Sequence, residues 1–80
     1  MHELGVLNQV VRTVTRIATE NRITRIKFIA LDVGEASSFV PVFLEKLYPV
    51  AIDQNPLLEQ SSLKIHMVPG AGLQIKEIGY

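Results

Sequence analysis

Met1, His2 and Glu3 place a free amine, an imidazole and a carboxylate within three successive positions, directly ahead of a long amphipathic segment. No other stretch of the 80-residue chain gathers so many metal-ligand atoms. Nickel and copper favour nitrogen donors in a tetragonal arrangement. The Met1 amine, the backbone nitrogen of His2 and the His2 ring could close fused chelate rings around one such ion. Glu3 could add an oxygen or a further backbone nitrogen. A frayed end is the ordinary fate of a terminal Met-His, and spacing alone favours it. The rest of the chain changes that balance.

The elements that must position these residues are read from periodicity. Leu4, Leu7, Val10, Val11, Val14, Ile17 and Ala18 recur at intervals of three and four, which predicts a helix from Glu3 to about Glu20. Glu3 lies in its first turn, where an acid suits the positive end of the helix dipole. Asn21 is read as its left-handed stop. Arg25 to Val33 is strongly β-forming, with Ile29, Leu31 and Val33 on the face expected to meet the helices. Ile26, Phe28, Ala30 and Asp32 fall on the other face. Gly34 ends the strand and Glu35 to Ser38 form a polar turn.

Pro41 opens a second helix, where its missing N–H costs nothing; Leu44, Leu47, Tyr48 and Ala51 give the inward stripe. Pro49 predicts a kink, or an end near Tyr48 followed by a short helical turn. Gln54-Asn55-Pro56 closes the element. Ser62 to Val68 alternates as a half-buried strand. Pro69 to Gly72 is a turn, and Leu73 to Ile78 alternates again, with Leu73 and Ile75 inward. The short separation predicts that these last two strands pair as an antiparallel hairpin. The expected fold is a two-layer α+β domain spanning 1–80, in the order helix-strand-helix-strand-strand, with a three-stranded sheet against two helices.

Composition excludes several function classes. A chain this short holds one core and buries about two-thirds of its unfolded surface. Hydrophobic residues make up 48% and aromatics only 6%, so the core is aliphatic. Eight basic and eight acidic residues cancel, which leaves no basic footprint for nucleic acid and no polybasic membrane patch. With no cysteine, a disulfide framework, a thiolate zinc site and a cysteine nucleophile are ruled out. No apolar run approaches the ~18 residues of a membrane span. Glu3, Gln9 and Arg12 interrupt any signal-peptide core. A soluble, cytoplasmic protein is expected.

With Met1-His2-Glu3-Leu4 ahead of it, this order of elements resembles the nickel-binding domain of the HypA family, metallochaperones of hydrogenase and urease maturation. Leu31-Asp32-Val33-Gly34-Glu35-Ala36-Ser37 is similar to the family's strand ending in Ile-Gly-Glu-Leu-Ser. Pro41 and Leu44 sit where the family's Pro-x-x-Leu opens the second helix. Leu63 to Pro69 resembles its strand ending in Val-Pro, and Leu73 to Ile78 its C-terminal strand. The resemblance covers nearly the whole chain. It implies that His2, with the terminal amine of Met1 and with Glu3, binds Ni(II), and that the partners are nickel-enzyme maturation proteins or a hydrogenase precursor.

Three departures accompany it. The family carries a zinc domain with two Cys-x-x-Cys pairs between the last two strands, and here Gly70-Ala71-Gly72 stands in that gap, so no zinc is expected. Val40 takes a position where family members often have an acid, and Pro49 interrupts the second helix. The expectation is a HypA-like nickel domain alone, whether natural or made by deletion.

The other candidates are weaker. His66 reads as an exposed surface histidine without partners. Glu35 reads as a solvated turn residue, and Ser37 and Ser38 lack the His or Asp spacing that would activate a nucleophile. No catalytic constellation is present, and the chain is not expected to be an enzyme. The alternative to a metallochaperone is an interaction or self-assembly module that keeps the same fold. Ile26, Phe28 and Ala30, with Ile78 and Tyr80 placed on the same sheet face, would form an apolar patch. A homodimer or larger assembly through the sheet is the corresponding expectation.

Overall fold

The computed structural model describes residues 2–80, so Met1 lies outside the described residues. Helix α1 runs Glu3–Glu20, strand β1 Phe28–Gly34, helix α2 Pro41–Ala51, strand β2 Ser62–Val68 and strand β3 Leu73–Gly79. The α+β class and the order of elements are as the periodicity predicts. The apolar stripe of α1 is the core side: Leu7, Val10, Val11, Val14 and Ala18 are buried together with Leu44 and Tyr48 of α2 and Ile29, Leu31 and Val33 of β1.

The α1 terminus differs from expectation by one residue. Arg22, not Asn21, takes the left-handed conformation, with φ 56°. The Ile23 N–H then reaches the Ala18 carbonyl at 2.8 Å and the Arg22 N–H the Thr19 carbonyl at 3.3 Å, closing a Schellman motif. Asn21 contributes through its side chain, whose Nδ2 donates to the Ile17 carbonyl at 2.8 Å. Helix α2 continues across Pro49 to Ala51, where an end near Tyr48 had been one expectation. Glu45 and Pro49 are both exposed, so the carbonyl that Pro49 leaves without a donor faces the solvent side.

The hairpin expectation is wrong. The sheet order is β2-β1-β3, with β1 parallel to β2 and antiparallel to β3. The reason lies in the strands themselves. Phe28–Gly34 is nearly continuously apolar and suits a central place, whereas β2 and β3 interleave Lys64, His66, Gln74, Lys76 and Glu77, which suit edges. The connection Pro69 to Gly72 therefore steps over the end of β1. The Gly34 N–H donates to the Gly72 carbonyl at 2.8 Å, and Ala36 N–H to the Gly70 carbonyl at 2.9 Å. A Cβ on Gly34 would run into the Gly70 carbonyl oxygen and lie 2.9 Å from the Ala71 Cα, so Gly34 exists to let the crossing pass.

The sheet's outer face also differs. Ile26 precedes β1, is 1% exposed and belongs to the core, with its N–H donating to the Leu57 carbonyl. A register shift between Ala30 and Leu31 pairs Ala30 with Glu77 but Leu31 with Ile75, leaving Lys76 as the extra residue. That bulge turns Ile78 to the core side, opposite Ile29. Of the expected patch only Phe28 and Ala30 remain on the outer face, since Tyr80 lies beyond β3. The Phe28 ring covers Gly79 and receives the Lys64 ammonium 3.9 Å from its centroid. The apolar patch on that face is thus smaller than expected, without Ile26 and Ile78.

Candidate metal centre at the start of the first helix

His2 is the residue before α1 and is exposed. Its backbone is left-handed, φ 66° and ψ 29°, where a helix-capping residue is usually extended. Histidine tolerates this region better than most side chains, yet the conformation carries strain of the kind that clusters at functional sites. Its carbonyl still accepts the Val6 N–H at 3.1 Å, so the turn of the chain happens at His2 itself. The backbone N–H groups of this first turn have no intrahelical acceptor, because each helix leaves its first N–H groups unpaired. A metal that displaced those protons would break no helix bond.

Glu3 is buried, 6% exposed. Its Oε2 accepts the Val40 N–H at 2.9 Å. Val40 is the residue that enters α2, and its own carbonyl accepts from Phe43 and Leu44. No side chain caps α2 from Val40 itself. One carboxylate therefore serves two helix beginnings: it lies in the first turn of α1 and meets the chain at the start of α2. Both helix ends are positive, which favours a negative charge there. The Val40 N–H holds the Glu3 carboxyl below the ordinary carboxylate range, and burial, which acts the other way, does not overcome it.

That direction fixes an acid signature. A carboxyl whose pKa is lowered by folding stabilises the fold above its unfolded value, about 4.3 for Glu. The contribution is lost as pH falls from there through the lower folded value. Urea melts between about pH 6 and about pH 3 are expected to lose stability more steeply in the native chain than in Glu3→Gln, whose side chain does not titrate. Parallel curves would show that the charge at this contact contributes nothing to the fold.

Of the three residues singled out by spacing, the structure thus describes His2 and Glu3, adjacent at the helix start, and Met1 lies outside it. The Glu3 carboxylate has a partner that sequence could not supply, because Val40 lies 37 positions away and acts through its backbone. His66 is exposed on β2, and its Nδ1 sits 3.2 Å from Asp32 Oδ1 on the neighbouring strand. It borders a shallow cavity of about 230 Å³ with Phe28, Lys64 and Glu77. Ser37 Oγ donates to the Gly34 carbonyl at 2.7 Å and shapes the turn after β1. Among the described residues, no three His, Asp or Glu side chains converge as a metal cluster, and no helix is long and apolar enough to cross a membrane.

Residues 1–73 match the family described as hydrogenase/urease nickel incorporation, metallochaperone, hypA. The chain belongs to the HypA family. It is 38% identical over 72 residues to a hydrogenase maturation factor HypA of Trichodesmium erythraeum (strain IMS101), covering 90% of this chain and 60% of that relative. It is 32% identical over 72 residues to the HypA of Rhizobium leguminosarum bv. viciae, covering 90% of this chain and 63% of that protein. The chain therefore spans about three-fifths of the length of these curated HypA relatives. The solution structure of the Ni metallochaperone HypA from Helicobacter pylori superposes with a TM-score of 0.89, over 99% of this chain and 97% of that one. At 12% identity that likeness speaks to the fold, and it extends the HypA fold over the whole of this chain.

Proposed function

We propose that this chain carries Ni(II) as cargo for the maturation of a nickel enzyme, a hydrogenase or urease, and holds the ion at Met1, His2 and Glu3. The observation that carries the reading is the His2-Glu3 pair at the start of α1 in a chain of the HypA family. The Met1 amine, the His2 backbone nitrogen and the His2 ring supply three nitrogens for a tetragonal plane. Glu3 fills the remaining position, through its carboxylate or its own backbone nitrogen. The positive end of α1 disfavours a bare cation but eases loss of protons from the amine and the amide, so the site suits an ion bound by deprotonated nitrogen.

Such a site works by binding and handover rather than by catalysis. His2 is exposed, which gives an acceptor's ligands access to the ion. The partners are nickel-enzyme maturation proteins or the precursor of the enzyme itself, and the cytoplasm is where they would meet the chain. Nickel titration of protein with a free amino terminus is expected to show one site per chain. Acetylating the terminus removes a donor and is expected to weaken binding at least about tenfold, as even changes behind the ligands commonly do. Equal affinity for the free and acetylated forms would remove Met1 from the site.

A further inference from the structure

We propose that two copies of this chain pair through the outer face of α2, helix against helix about a two-fold axis. The inference stands apart from the nickel site. Helix α1 turns Asn8, Gln9, Arg12 and Arg16 toward water, opposite its buried stripe. Helix α2 has no such polar face, and Glu45 and Lys46 are its only charges. Leu44 and Tyr48 are buried, yet Val42, Phe43, Pro49 and Val50 are exposed, Val42 at 49% and Val50 at 58%. Apolar residues all round a helix mark one that is covered on every side. Among the described residues, nothing covers this side of α2.

The charges on that face identify the occupant as a second copy. Val42, Lys46, Pro49 and Asp53 follow one another at intervals of three and four, so they share one face, with Val50 beside Pro49. Asp53 lies just past the helix, and its N–H donates to the Val50 carbonyl at 3.3 Å, which carries the winding one turn further. Lys46 and Asp53 stand about 10 Å apart along the axis, too far to pair within one chain. Both are exposed, and neither has an ion-pair partner among the described residues. A copy running antiparallel, with the two-fold axis between Pro49 and Val50, sets each Lys46 against the partner's Asp53. Pro49 and Val50 then meet their counterparts between the two ion pairs. The same register brings the partner's Gln54 to the Glu45 carbonyl, which Pro49 leaves without a donor. Every contact occurs twice, as a two-fold interface requires.

Sedimentation equilibrium of the full chain tests this. Between about 1 µM and about 500 µM the mass is expected to rise from 8.9 kDa toward twice that value and no further. Lys46→Asp and Asp53→Lys are each expected to weaken association at least about tenfold, because either change sets like charges opposite each other twice. The double variant, Lys46→Asp with Asp53→Lys, restores both pairs in reverse and is expected to associate as the native chain does. An equimolar mixture of the two single variants is expected to pair as well, since one chain then carries two acids on this face and the other two bases. Both positions are exposed, so all variants are expected to fold, as far-ultraviolet circular dichroism would show. A native chain that stays at 8.9 kDa throughout overturns the proposal and leaves this face to another protein. A mass that climbs past two chains overturns it too. Association that neither single variant weakens, or that the double variant fails to restore, places the contact elsewhere and overturns this pairing.

Discussion

His2→Ala is expected to weaken Ni(II) binding by at least about 100-fold, the upper range for changes that merely support a ligand. The substitution deletes the imidazole and breaks the chelate ring that ties it to the backbone nitrogen, so the loss exceeds that of one independent donor. The fold is expected to survive, because His2 is exposed and its one described bond, from the Val6 N–H, uses the backbone carbonyl. His66→Ala is the matched control. It removes the other histidine of the chain, whose ring instead meets Asp32 across the sheet. Calorimetric titration of the three proteins separates the two imidazoles. Native affinity in His2→Ala, or a comparable loss in His66→Ala, would move the site from the helix start to the sheet face.

The parts of this site that lie close in sequence were legible, and the parts that depend on tertiary contact were not. His2 and Glu3 stand together in any reading, since they are neighbours at the beginning of an obvious amphipathic helix. The alternation in β1 likewise placed Ile29, Leu31 and Val33 correctly in the core. What no pattern announced was that Glu3 would be buried. A glutamate in a first turn is ordinarily a solvated partner of the helix dipole, and its acceptor role toward Val40 arises only when α1 and α2 lie side by side.

Strand order was harder for a different reason. A four-residue connection from Pro69 to Gly72 argues for direct pairing of β2 and β3, and sequential strands usually are neighbours. The opposing signal was the apolar run of β1, which belongs between two amphipathic edges rather than beside them. The glycines at 34, 70 and 72 were consistent with both arrangements; only the crossing explains why position 34 can carry no side chain. One bulged residue, Lys76, then reversed the expected facing of Ile78. A period of two cannot survive an insertion, and the patch inferred for self-assembly lost Ile78 with it.

Leu58→Ala is expected to cost about 2–5 kcal/mol of stability, although the residue lies between α2 and β2, outside any helix or strand. Leu58 is 0% exposed and stands in the core beside Tyr48 and Ile26. Three bonds fix it there: its N–H donates to the Asn55 carbonyl at 3.1 Å, while its carbonyl accepts the Ser61 N–H at 2.9 Å and the Ser61 hydroxyl at 2.6 Å. That same hydroxyl oxygen lies 2.7 Å from the Tyr48 hydroxyl, so the turn is braced against α2 and cannot readily fold inward over a cavity. The upper half of the range is therefore the expected one. Small domains of this size have roughly 4–12 kcal/mol in total, so the variant should unfold at a markedly lower urea concentration. Each kcal/mol shifts the melting temperature of such a domain by about 4–8 °C. Val50→Ala, at a site 58% exposed, is expected to change stability by no more than about 0.5 kcal/mol. The two ends of α2 then report separately. Leu58 follows its C-terminal end, and the Glu3–Val40 contact lies at its N-terminal end, about 16 Å away along an 11-residue helix. Below its melting range, Leu58→Ala should bind nickel as the native chain does. A loss of affinity in the folded variant would mean that the whole of α2, not only its first turn, sets the geometry at His2.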